Sequence, residues 1–267
     1  MSTMQVDESQ SHQGGFDSTL FGRLFAAEDR HFWFQSRNAI LAAVLTGIER
    51  NLQPNYRVAE IGCGTGVVLR MLTHLFRRGT TIGMDLHVEG LRYARQRTGA
   101  MLIAADVAAP PIRAGFDVVG MFDVLEHIPD DERILRHVIR LLKPAGYLVL
   151  TVPAHPSLWS YADDVARHCR RYTRRSLTDV LQRAGFRIEY QTDFMTVLLP
   201  IMWLTRRGSR RALTDAEKIE RTGSELRVVP GLNEIMTWAL TQEARFIGRR
   251  ARLPFGTSLL VVARPAA

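Results

Sequence analysis

Cysteine is scarce, since the 267-residue chain contains only Cys63 and Cys169. Two cysteines cannot build the disulfide framework of a small secreted domain, and neither has the spacing of a metal-ligand pair. A reducing compartment is therefore expected, with the cytoplasm as the default. The chain also lacks a run of about 18 apolar residues and an N-terminal basic segment followed by an apolar one. It gives no indication of a membrane-spanning helix or a secretory signal.

Lysine is equally scarce, because Lys143 and Lys218 are the only lysines among 35 lysines and arginines. The net charge of +8 invites a nucleic-acid interpretation, since clustered basic side chains neutralise phosphates. The arginines concentrate in residues 167–176 and 206–211. Three interpretations stay open for these segments: a solvated basic face, a site for an anionic substrate, or contact with a membrane surface.

The chain does contain a regular alternation of β-rich and helical segments. The predicted strands are RVAEI, TTIGMDL, AMLIAAD, GFDVVGMFDVL with its exit loop, GYLVLTVP, FRIEYQTDF and GTSLLVVARP. Helical periodicity separates most of them, as in VVLRMLTHLF and DERILRHVIRLL. This order predicts an α/β fold, a doubly wound and mostly parallel sheet with helices on both faces.

The expected organisation is a single domain after a short tail. Residues 1–15 are polar and are predicted to form a disordered tail, and residues 16–267 the domain. The domain is expected to begin with helices, for which Ser36 is a candidate N-cap. Its predicted parts are N-terminal helices at 16–50, a ligand-binding core at 51–193, a helical insertion at 194–255 and a final strand at 256–267.

A glycine-rich loop follows the first strand. Gly62, Gly64 and Gly66 lie between a buried strand and a helix, where backbone N–H groups and the positive end of the helix can approach a ligand. The dinucleotide fingerprint requires glycine or alanine at the position of Val67, so that pattern fails. Glu60 lies just before the loop, where a carboxylate repels a pyrophosphate and attracts a cation. A nucleotide-like ligand with a cationic end is expected.

The order of Glu60 and the loop GCGTG resembles the first motif of class I S-adenosylmethionine-dependent methyltransferases. The resemblance implies a seven-stranded Rossmann-like sheet with an antiparallel last strand, S-adenosylmethionine as cofactor and S-adenosylhomocysteine as product. It also implies that Glu60 and the loop residues Gly62, Cys63, Gly64 and Gly66 hold the methionine end of the cofactor. An ordinary tight turn between strand and helix is the alternative for the loop.

Acidic residues follow the next two strands at intervals that match the same family. Asp85 ends the second strand, where a carboxylate can accept hydrogen bonds from both ribose hydroxyls. Asp106 ends the third strand, and the resemblance implies that it binds the adenine amino group while Val107 packs on the ring. Leu86 is assigned to the same pocket. Each aspartate taken alone is equally compatible with an ordinary turn or helix cap.

The segments FDVLEH and LKPAG extend the resemblance to small-molecule methyltransferases, with Ala145 in place of a common glycine. Phe122 and Asp123 lie at the carboxyl end of the fourth strand, the edge where doubly wound sheets bind ligands, and are predicted to contact the cofactor. His127 is interpreted as structural rather than as a general base, because it lies past the strand end beside a helix cap.

Ahead of the sheet, HFWFQSRN resembles the N-terminal segment of a bacterial methyltransferase subgroup, and the resemblance then covers the chain from Phe16 onward. It implies an N-terminal helix that folds over the cofactor. Arg37 is predicted to pair with the methionine carboxylate, and Trp33 and Phe34 to close over the sulfonium. The alternative is that these aromatic residues form the core face of a helix.

Methyl transfer from a sulfonium is an in-line displacement, so alignment and the exclusion of water supply much of the acceleration. A base is needed when the acceptor is a hydroxyl. His155 and His168 are the candidates, since both follow the fifth strand and are expected at the substrate entrance. Trp159, Arg171 and Tyr172 are predicted to shape the acceptor pocket. No metal ion is expected.

The segment FMTVLLPIMWL at 194–204 is apolar all round and is followed by arginines. It forms either a lid over an apolar pocket or a contact with a partner subunit, or else residues 194–211 enter a membrane interface with their arginines on lipid phosphates. These interpretations point to a hydrophobic or lipid-linked acceptor. The sequence does not indicate an oligomeric state.

The sequence therefore predicts an S-adenosylmethionine-dependent methyltransferase that acts at oxygen or nitrogen of a small or lipid-like molecule. An RNA or other nucleic-acid methyltransferase is the alternative, but the Asp or Asn, two prolines and aromatic residue of amino-methylating enzymes are missing after the fourth strand. No proline–cysteine nucleophile follows that strand either. Val67 argues against a dinucleotide-dependent oxidoreductase. A relative that binds the cofactor without transferring methyl stays open.

Overall fold

The computed structural model describes residues 20–207 and 213–266. The predicted tail at 1–15 and the arginines at 210 and 211 lie outside the described residues. Within them one sheet contains seven strands: β1 (Arg57–Ile61), β2 (Thr80–Asp85), β3 (Met101–Ala104), β4 (Phe116–Phe122), β5 (Leu142–Pro153), β6 (Phe186–Phe194) and β7 (Ser258–Pro265).

The strand order is β3-β2-β1-β4-β5-β7-β6. The first five strands pair in parallel, and β7 runs antiparallel to both β5 and β6. The order reverses beside β1, and ligands bind at such a switch point in doubly wound sheets. The predicted fold class is confirmed, including the antiparallel last strand.

Helices lie on both faces of the sheet. They are α1 (Phe21–Glu28), α2 (Phe32–Glu49), α3 (Val67–Leu75), α4 (Val88–Arg97), α5 (Asp131–Leu141), α6 (Tyr161–Val165), α7 (Arg174–Arg183), α8 (Leu198–Arg207), α9 (Asp215–Glu225) and α10 (Leu232–Gly248). Apolar side chains of α5 and α7 cover one face of the central strands, and those of α2, α3 and α10 cover the other. Burial on both faces explains why the strands are apolar almost throughout.

The start of α2 corrects the prediction for Ser36. The helix begins at Phe32 with His31 as its N-cap, and the ring of His31 accepts a hydrogen bond from the Trp33 N–H. Asn233 of α10 accepts a second one, from the Phe32 N–H at 2.8 Å. Ser36 is therefore buried one turn inside the helix. The N-cap prediction was wrong because a residue distant in sequence satisfies the first turn.

The segment before β7 is part of the packed structure. Helix α10 lies along α2, and Met236, Leu240 and Ile247 of α10 are buried in the same core as β5 and β7. Of the helices in the described ranges, none combines the length and the apolar character that crossing a bilayer requires.

Candidate active site

A cavity of about 1380 Å³ opens at the carboxyl ends of the parallel strands. Ligand sites for small molecules typically measure about 300–1,000 Å³, so this one has room for two ligands side by side. The ends of β1, β2 and β4 and the loop after β3 contribute to its lining, and so do α1, α2, α6, α8 and α9. The cavity thus has a glycine-loop end and an opposite end beside α6.

The backbone of the glycine loop itself forms the wall. Gly62 has φ +71°, and a Cβ there would lie 2.4 Å from Val124 Cγ2. Gly64 also has a positive φ, of +48°, and both residues line the cavity. Gly66 does not line it, because it is the N-cap of α3 and packs against Ala94. The first two glycines face a ligand, whereas the third is required by packing.

Cys63 lines the cavity within the same loop, but its side chain belongs to an apolar cluster with Leu69 and Leu91. Burial, followed by the negative charge of Glu60, raises the pKa of the Cys63 thiol far above its usual range. The thiol therefore stays protonated and is no nucleophile.

Glu60 is the buried acidic group at the glycine-loop end. It is 2% exposed, and among the described residues its Oε2 has no hydrogen-bond partner. Burial raises the pKa of Glu60 well above its usual range, and the positive charge of Arg37 acts in the opposite direction. A buried carboxylate oxygen without a partner is costly, so this wall of the cavity is suited to a cationic ligand.

Asp85 braces the glycine loop from the end of β2. Its carboxylate accepts hydrogen bonds from the Gly64 N–H at 2.7 Å and the His87 N–H at 2.8 Å. Burial raises the pKa of Asp85, and these hydrogen bonds counteract the rise. Because a carboxylate has about four acceptor positions, Asp85 can still bind ligand hydroxyls. Leu86 beside it lines the cavity and is exposed.

Asp106 and Val107 lie just beyond β3 and line the cavity. One oxygen of Asp106 accepts a hydrogen bond from the Ala108 N–H at 2.8 Å. This bond fixes the turn, so the other oxygen of Asp106 is available to a ligand. Val107 also packs against the core cluster beneath the sheet.

Arg37 has a partner within the chain. Its Nη1 lies 2.7 Å from Asp123 Oδ2, and its guanidinium lies 4.9 Å from the centre of the Trp33 ring. Asp123 has a positive φ of +57° and accepts a second hydrogen bond from Thr151. Arg37, Asp123 and Trp33 all line the cavity beside the buried Phe122. The guanidinium of Arg37, which is predicted to bind the cofactor carboxylate, is therefore paired with Asp123 within the chain.

Helix α1 is held to the glycine loop by a buried cluster that the sequence did not reveal. Glu28 bonds to the Thr65 hydroxyl and to Arg97, which also donates to Phe25 O at 2.8 Å. The side chains of Glu28 and Arg97 are almost fully buried. No sequence spacing relates residues 69 positions apart. The cluster places α1 across the loop, where Phe21 and Leu24 line the cavity.

The opposite end of the cavity holds a hydrogen-bonded dyad. His168 Nδ1 lies 2.9 Å from Asp163 Oδ1, and Arg171 Nε donates to the same oxygen at 2.7 Å. Burial raises the pKa of Asp163, but the hydrogen bond with His168 and the charge and hydrogen bond of Arg171 outweigh it and hold the value at about 2. His168, Arg171 and Trp159 line the cavity. Asp163 orients His168, and nothing in the sequence singled it out.

Glu126 and His127 lie next to this dyad in a 3-10 turn that follows β4. The rings of His127 and His168 are 4.7 Å apart, edge to face. Burial lowers the pKa of His127 to about 3, and the nearby His168 acts in the same direction. Glu126 is 1% exposed and lines the cavity. The motif LEH suggested only its histidine, so the sequence interpretation missed this carboxylate.

His155 and Tyr172 are not among the residues that line the cavity. The Nε2 of His155 lies 3.8 Å from Asp193 Oδ1 of β6. Tyr172 is 2% exposed, and its hydroxyl donates to Asp131 Oδ2 at 2.8 Å. A bridge between Ala154 and Tyr172 directs this tyrosine into the core. Neither residue has a place in the proposed site.

The segment between β6 and β7 covers the cavity. Ile201 and Met202 of α8 and Lys218 of α9 are among the lining residues. Lys218 Nζ lies 3.2 Å from Asp164 Oδ2 of α6, and the His31 ring bonds to Glu225 O at 2.9 Å. These contacts tie α9 to both α6 and the start of α2, so the covering segment borders both ends of the cavity.

A family model described as a methyltransferase domain matches residues 25–191 of the chain. The chain belongs to this methyltransferase family. The predictions of the family and of its cofactor, S-adenosylmethionine, are confirmed.

Curated relatives resemble part of the chain. A probable S-adenosylmethionine-dependent methyltransferase of Mycolicibacterium smegmatis is 29% identical over 136 residues, which are 49% of this chain and 52% of that protein. A ubiquinone biosynthesis O-methyltransferase of Sodalis glossinidius is 30% identical over 132 residues, 46% of this chain and 52% of that protein. A trans-aconitate 2-methyltransferase of Rhodopseudomonas palustris is 34% identical over 100 residues, 36% and 38% of the two chains. The chain spans about half the length, or less, of these relatives.

Solved structures share the fold. A methyltransferase of Haloferax volcanii, in complex with the Trm112 activator, has a TM-score of 0.59 at 17% identity and covers 93% of this chain and 95% of its own. A Haemonchus contortus phosphoethanolamine N-methyltransferase, bound to phosphomonomethylethanolamine and S-adenosylhomocysteine, has a TM-score of 0.53 at 18% identity and covers 84% and 52%. At this identity the likeness concerns the fold alone.

The cavity of this methyltransferase fits its cofactor at the glycine-loop end. The oxygen of Glu60 without a partner is an acceptor for an ammonium group. Gly62 and Gly64 line the cavity without side chains, so a ligand can approach their backbone. Asp85 and the exposed Leu86 provide a hydroxyl acceptor and an apolar surface for a nucleoside. Charge, shape and polarity therefore agree with S-adenosylmethionine.

Proposed function

We propose that this methyltransferase acts on oxygen or nitrogen of a small, largely apolar molecule that binds beside α6. The observation that supports the proposal is the extension of the cavity past the cofactor end to the dyad of His168 and Asp163. The apolar side chains of Ile128, Trp159 and Met202 line the cavity as well. An acceptor here meets one oriented polar group within apolar walls, the usual composition of a small-molecule site.

S-adenosylmethionine supplies a methyl group on a positively charged sulfur, which leaves as the neutral thioether. In the proposed mechanism Glu60, the glycine loop and Asp85 fix the cofactor at one end. Trp159 and the helices above the cavity position the acceptor at the other end and exclude water. Bringing two reactants into line in a closed site can supply about 7–11 kcal/mol of the barrier reduction, so few further groups are required.

His168 is the residue through which we propose that an acceptor hydroxyl is activated. Asp163 fixes the orientation of the ring through Nδ1 and leaves Nε2 on the cavity side. A carboxylate that holds an imidazole in one tautomer is a recurring arrangement in acid–base catalysis. An amine acceptor that binds unprotonated needs no such group, so dependence on His168 distinguishes oxygen from nitrogen acceptors.

The relatives support a small molecule over a nucleic acid. Two of those named above are, by their names, an O-methyltransferase of ubiquinone biosynthesis and a trans-aconitate 2-methyltransferase. The cavity is covered by α8 and α9, and this agrees better with an enclosed acceptor than with a strand of RNA. Within this class, the apolar lining favours an acceptor with an apolar portion.

We also propose that the outer surface of the covering segment contacts an anionic bilayer. Leu232, Ile235 and Trp238 recur at three-residue spacing on the exposed side of α10, opposite its buried stripe. Trp203 and Leu204 of α8 are exposed as well. Exposed aromatic and aliphatic residues combined with a basic chain are typical of peripheral membrane contacts. Such a contact would give an apolar acceptor a short path into the cavity.

The experiment is an acceptor screen with the full chain and S-adenosylmethionine. The panel contains phenols and catechols with isoprenoid tails of increasing length, short carboxylic acids, amines and RNA. Release of S-adenosylhomocysteine and the mass of the methylated product are measured. Turnover of hydroxylated molecules with apolar tails is expected, and Trp159→Ala should raise KM for them more than it lowers kcat. Turnover of RNA alone, or of fully polar acids alone, would contradict the proposal.

A further inference from the structure

Three potential ligand groups meet at the acceptor end of the cavity. Glu126, His127 and His168 each present one ligand atom there, and these atoms all lie within 4.8 Å of one another. The shortest separation recorded between the glutamate and a histidine is 4.0 Å, from His168 Nε2 to Glu126 Oε1. All three residues line the cavity. A single small ion could therefore contact all of them.

Glu126 is incompletely satisfied by the chain itself. It is 1% exposed, and its Oε2 has no hydrogen-bond partner among residues 20–207 and 213–266. The nearby Arg171 donates instead to Asp163 and to Ala154 O. A buried carboxylate without a partner is normally paired with a cation or coordinates a metal. The carboxylate that lacks a full set of partners therefore belongs to the cluster.

The two imidazoles are held as metal ligands usually are. His168 bonds through Nδ1 to the Asp163 carboxylate, which leaves Nε2 facing Glu126. The ring of His127 forms a backbone hydrogen bond with Ala166. Histidines that bind a metal through one nitrogen generally hold a carboxylate or backbone carbonyl through the other, and this fixes their tautomer and orientation. Both supporting contacts are present here.

We propose that Glu126, His127 and His168 bind one divalent transition-metal ion at the acceptor end of the cavity. Two imidazoles and one carboxylate suit Zn²⁺, Fe²⁺ or Mn²⁺, whereas Mg²⁺ and Ca²⁺ prefer oxygen ligands alone. Ligands at about 2.1 Å from a metal lie closer together than the present separations. A small inward rotation of the side chains accompanies binding.

The ion would have open positions toward the acceptor, because only three protein ligands surround it. An acceptor hydroxyl that coordinates there loses its proton to water at a lower pH than it does in solution. His168 then activates the acceptor as a metal ligand, with Asp163 as the group that orients it. This inference deepens the proposed function and depends on it only for the identity of the acceptor. The metal site itself is argued only from the positions of Glu126, His127 and His168.

The test is a calorimetric titration of the chelator-treated full chain with ZnCl₂ and MnCl₂, with MgCl₂ for comparison. One equivalent of Zn²⁺ and of Mn²⁺ should bind, with Mg²⁺ much weaker. Glu126→Gln and His168→Gln should each weaken Zn²⁺ binding by more than about tenfold, the smallest loss typical even of supporting residues. The matched control is His155→Gln, which changes a histidine outside the cavity. Since Cys169 is exposed, all variants are also made with Cys169→Ser.

A second measurement guards against misfolded variants. Each variant is titrated with S-adenosylhomocysteine, and retained binding shows that the variant is folded, because no cofactor contact is assigned to Glu126 or His168. The Co²⁺-loaded wild type should also show visible absorption bands that Glu126→Gln alters. Absence of Zn²⁺ and Mn²⁺ binding, or binding that both cluster variants retain, would overturn the metal site and leave the cofactor assignment intact. Failure of S-adenosylhomocysteine to bind to the wild type would instead reject the proposed function.

Discussion

Replacing Glu60 with glutamine should weaken cofactor binding without weakening the ligand-free fold. The substitution keeps the shape of the side chain and removes the negative charge that we expect to bind the cofactor's ammonium group. Hydrogen bonds to a charged group contribute about 1.5–3 kcal/mol, so Kd for S-adenosylmethionine should rise about 10- to 150-fold. Oε2 of Glu60 has no hydrogen-bond partner among the described residues, so the substitution removes no hydrogen bond of that oxygen from the ligand-free fold.

The pH dependence of the free energy of unfolding gives an independent prediction for the stability of the Glu60→Gln protein. Burial raises the pKa of Glu60 above its ordinary value of 4.5. A carboxyl with a raised pKa stabilises the fold below that ordinary value, and this contribution is lost as pH rises through the folded value. Near neutral pH the ligand-free Glu60→Gln protein should therefore be at least as stable as the wild type.

The assay combines calorimetric titration of the cofactor with thermal unfolding in its presence and absence. Glu89→Gln is the matched control, because Glu89 is exposed on α4 and does not line the cavity. It should bind the cofactor as the wild type does. A Glu60→Gln protein with wild-type affinity, or one that is less stable without ligand, would refute the assignment of Glu60 to the ammonium group.

Three further predictions concern the fold, the acid stability and the surface. Gly62→Ala should lower stability by about 1–3 kcal/mol, measured by urea unfolding, because φ is +71° and Val124 blocks the Cβ; an unchanged midpoint would contradict this. Asp163→Asn should lower the free energy of unfolding by about 2 kcal/mol above pH 4. The pKa of Asp163 is held at about 2, below its ordinary value of 3.8, so the carboxylate stabilises the fold above pH 3.8 and this contribution is lost as the pH falls to 2. An acid unfolding curve identical to that of the wild type would argue against the dyad. Trp238→Ser should reduce sedimentation with anionic vesicles several-fold while Met101→Ser, an equally exposed change on β3, should not, and equal sedimentation of both would exclude contact through α10.

The sheet and the cofactor end of the cavity could be predicted because their signals are local. The strands are short apolar runs, and the acidic residues Glu60, Asp85 and Asp106 lie at or just beyond their carboxyl ends. The carboxyl ends of parallel strands meet at one edge, so position along the sequence determines position in space. The glycines could be recognised for the same reason, although only Gly62 and Gly64 of the three face the cavity.

The acceptor end could be predicted only in part, since it is built from loops whose direction the sequence does not determine. His155, His168 and Tyr172 all follow β5, yet only His168 reaches the cavity. The order of residues after a strand does not determine which side of the sheet the following loop crosses. The N-cap prediction failed similarly, because Asn233 completes the first turn of α2 from 201 positions away.

The polar clusters of the site were invisible for a related reason. Glu28 and Arg97 form a buried pair across 69 positions, and Glu126 meets His168 only through the fold. No metal ion was expected from the sequence, since His127 and His168 are not spaced as a ligand motif. Contacts of this kind depend on tertiary packing, and a single sequence contains no periodicity that reports it.

The most direct test of the central claim is a calorimetric titration of the purified chain with S-adenosylmethionine and S-adenosylhomocysteine, with NAD as the control ligand and Asp85→Ala as the site variant. We expect both sulfur ligands to bind at one site, NAD not to bind, and the variant to lose binding, because Asp85 supports the Gly64 backbone as well as facing the ligand. Binding of NAD alone, or undiminished binding by the variant, would contradict the assignment of the cofactor to the glycine loop.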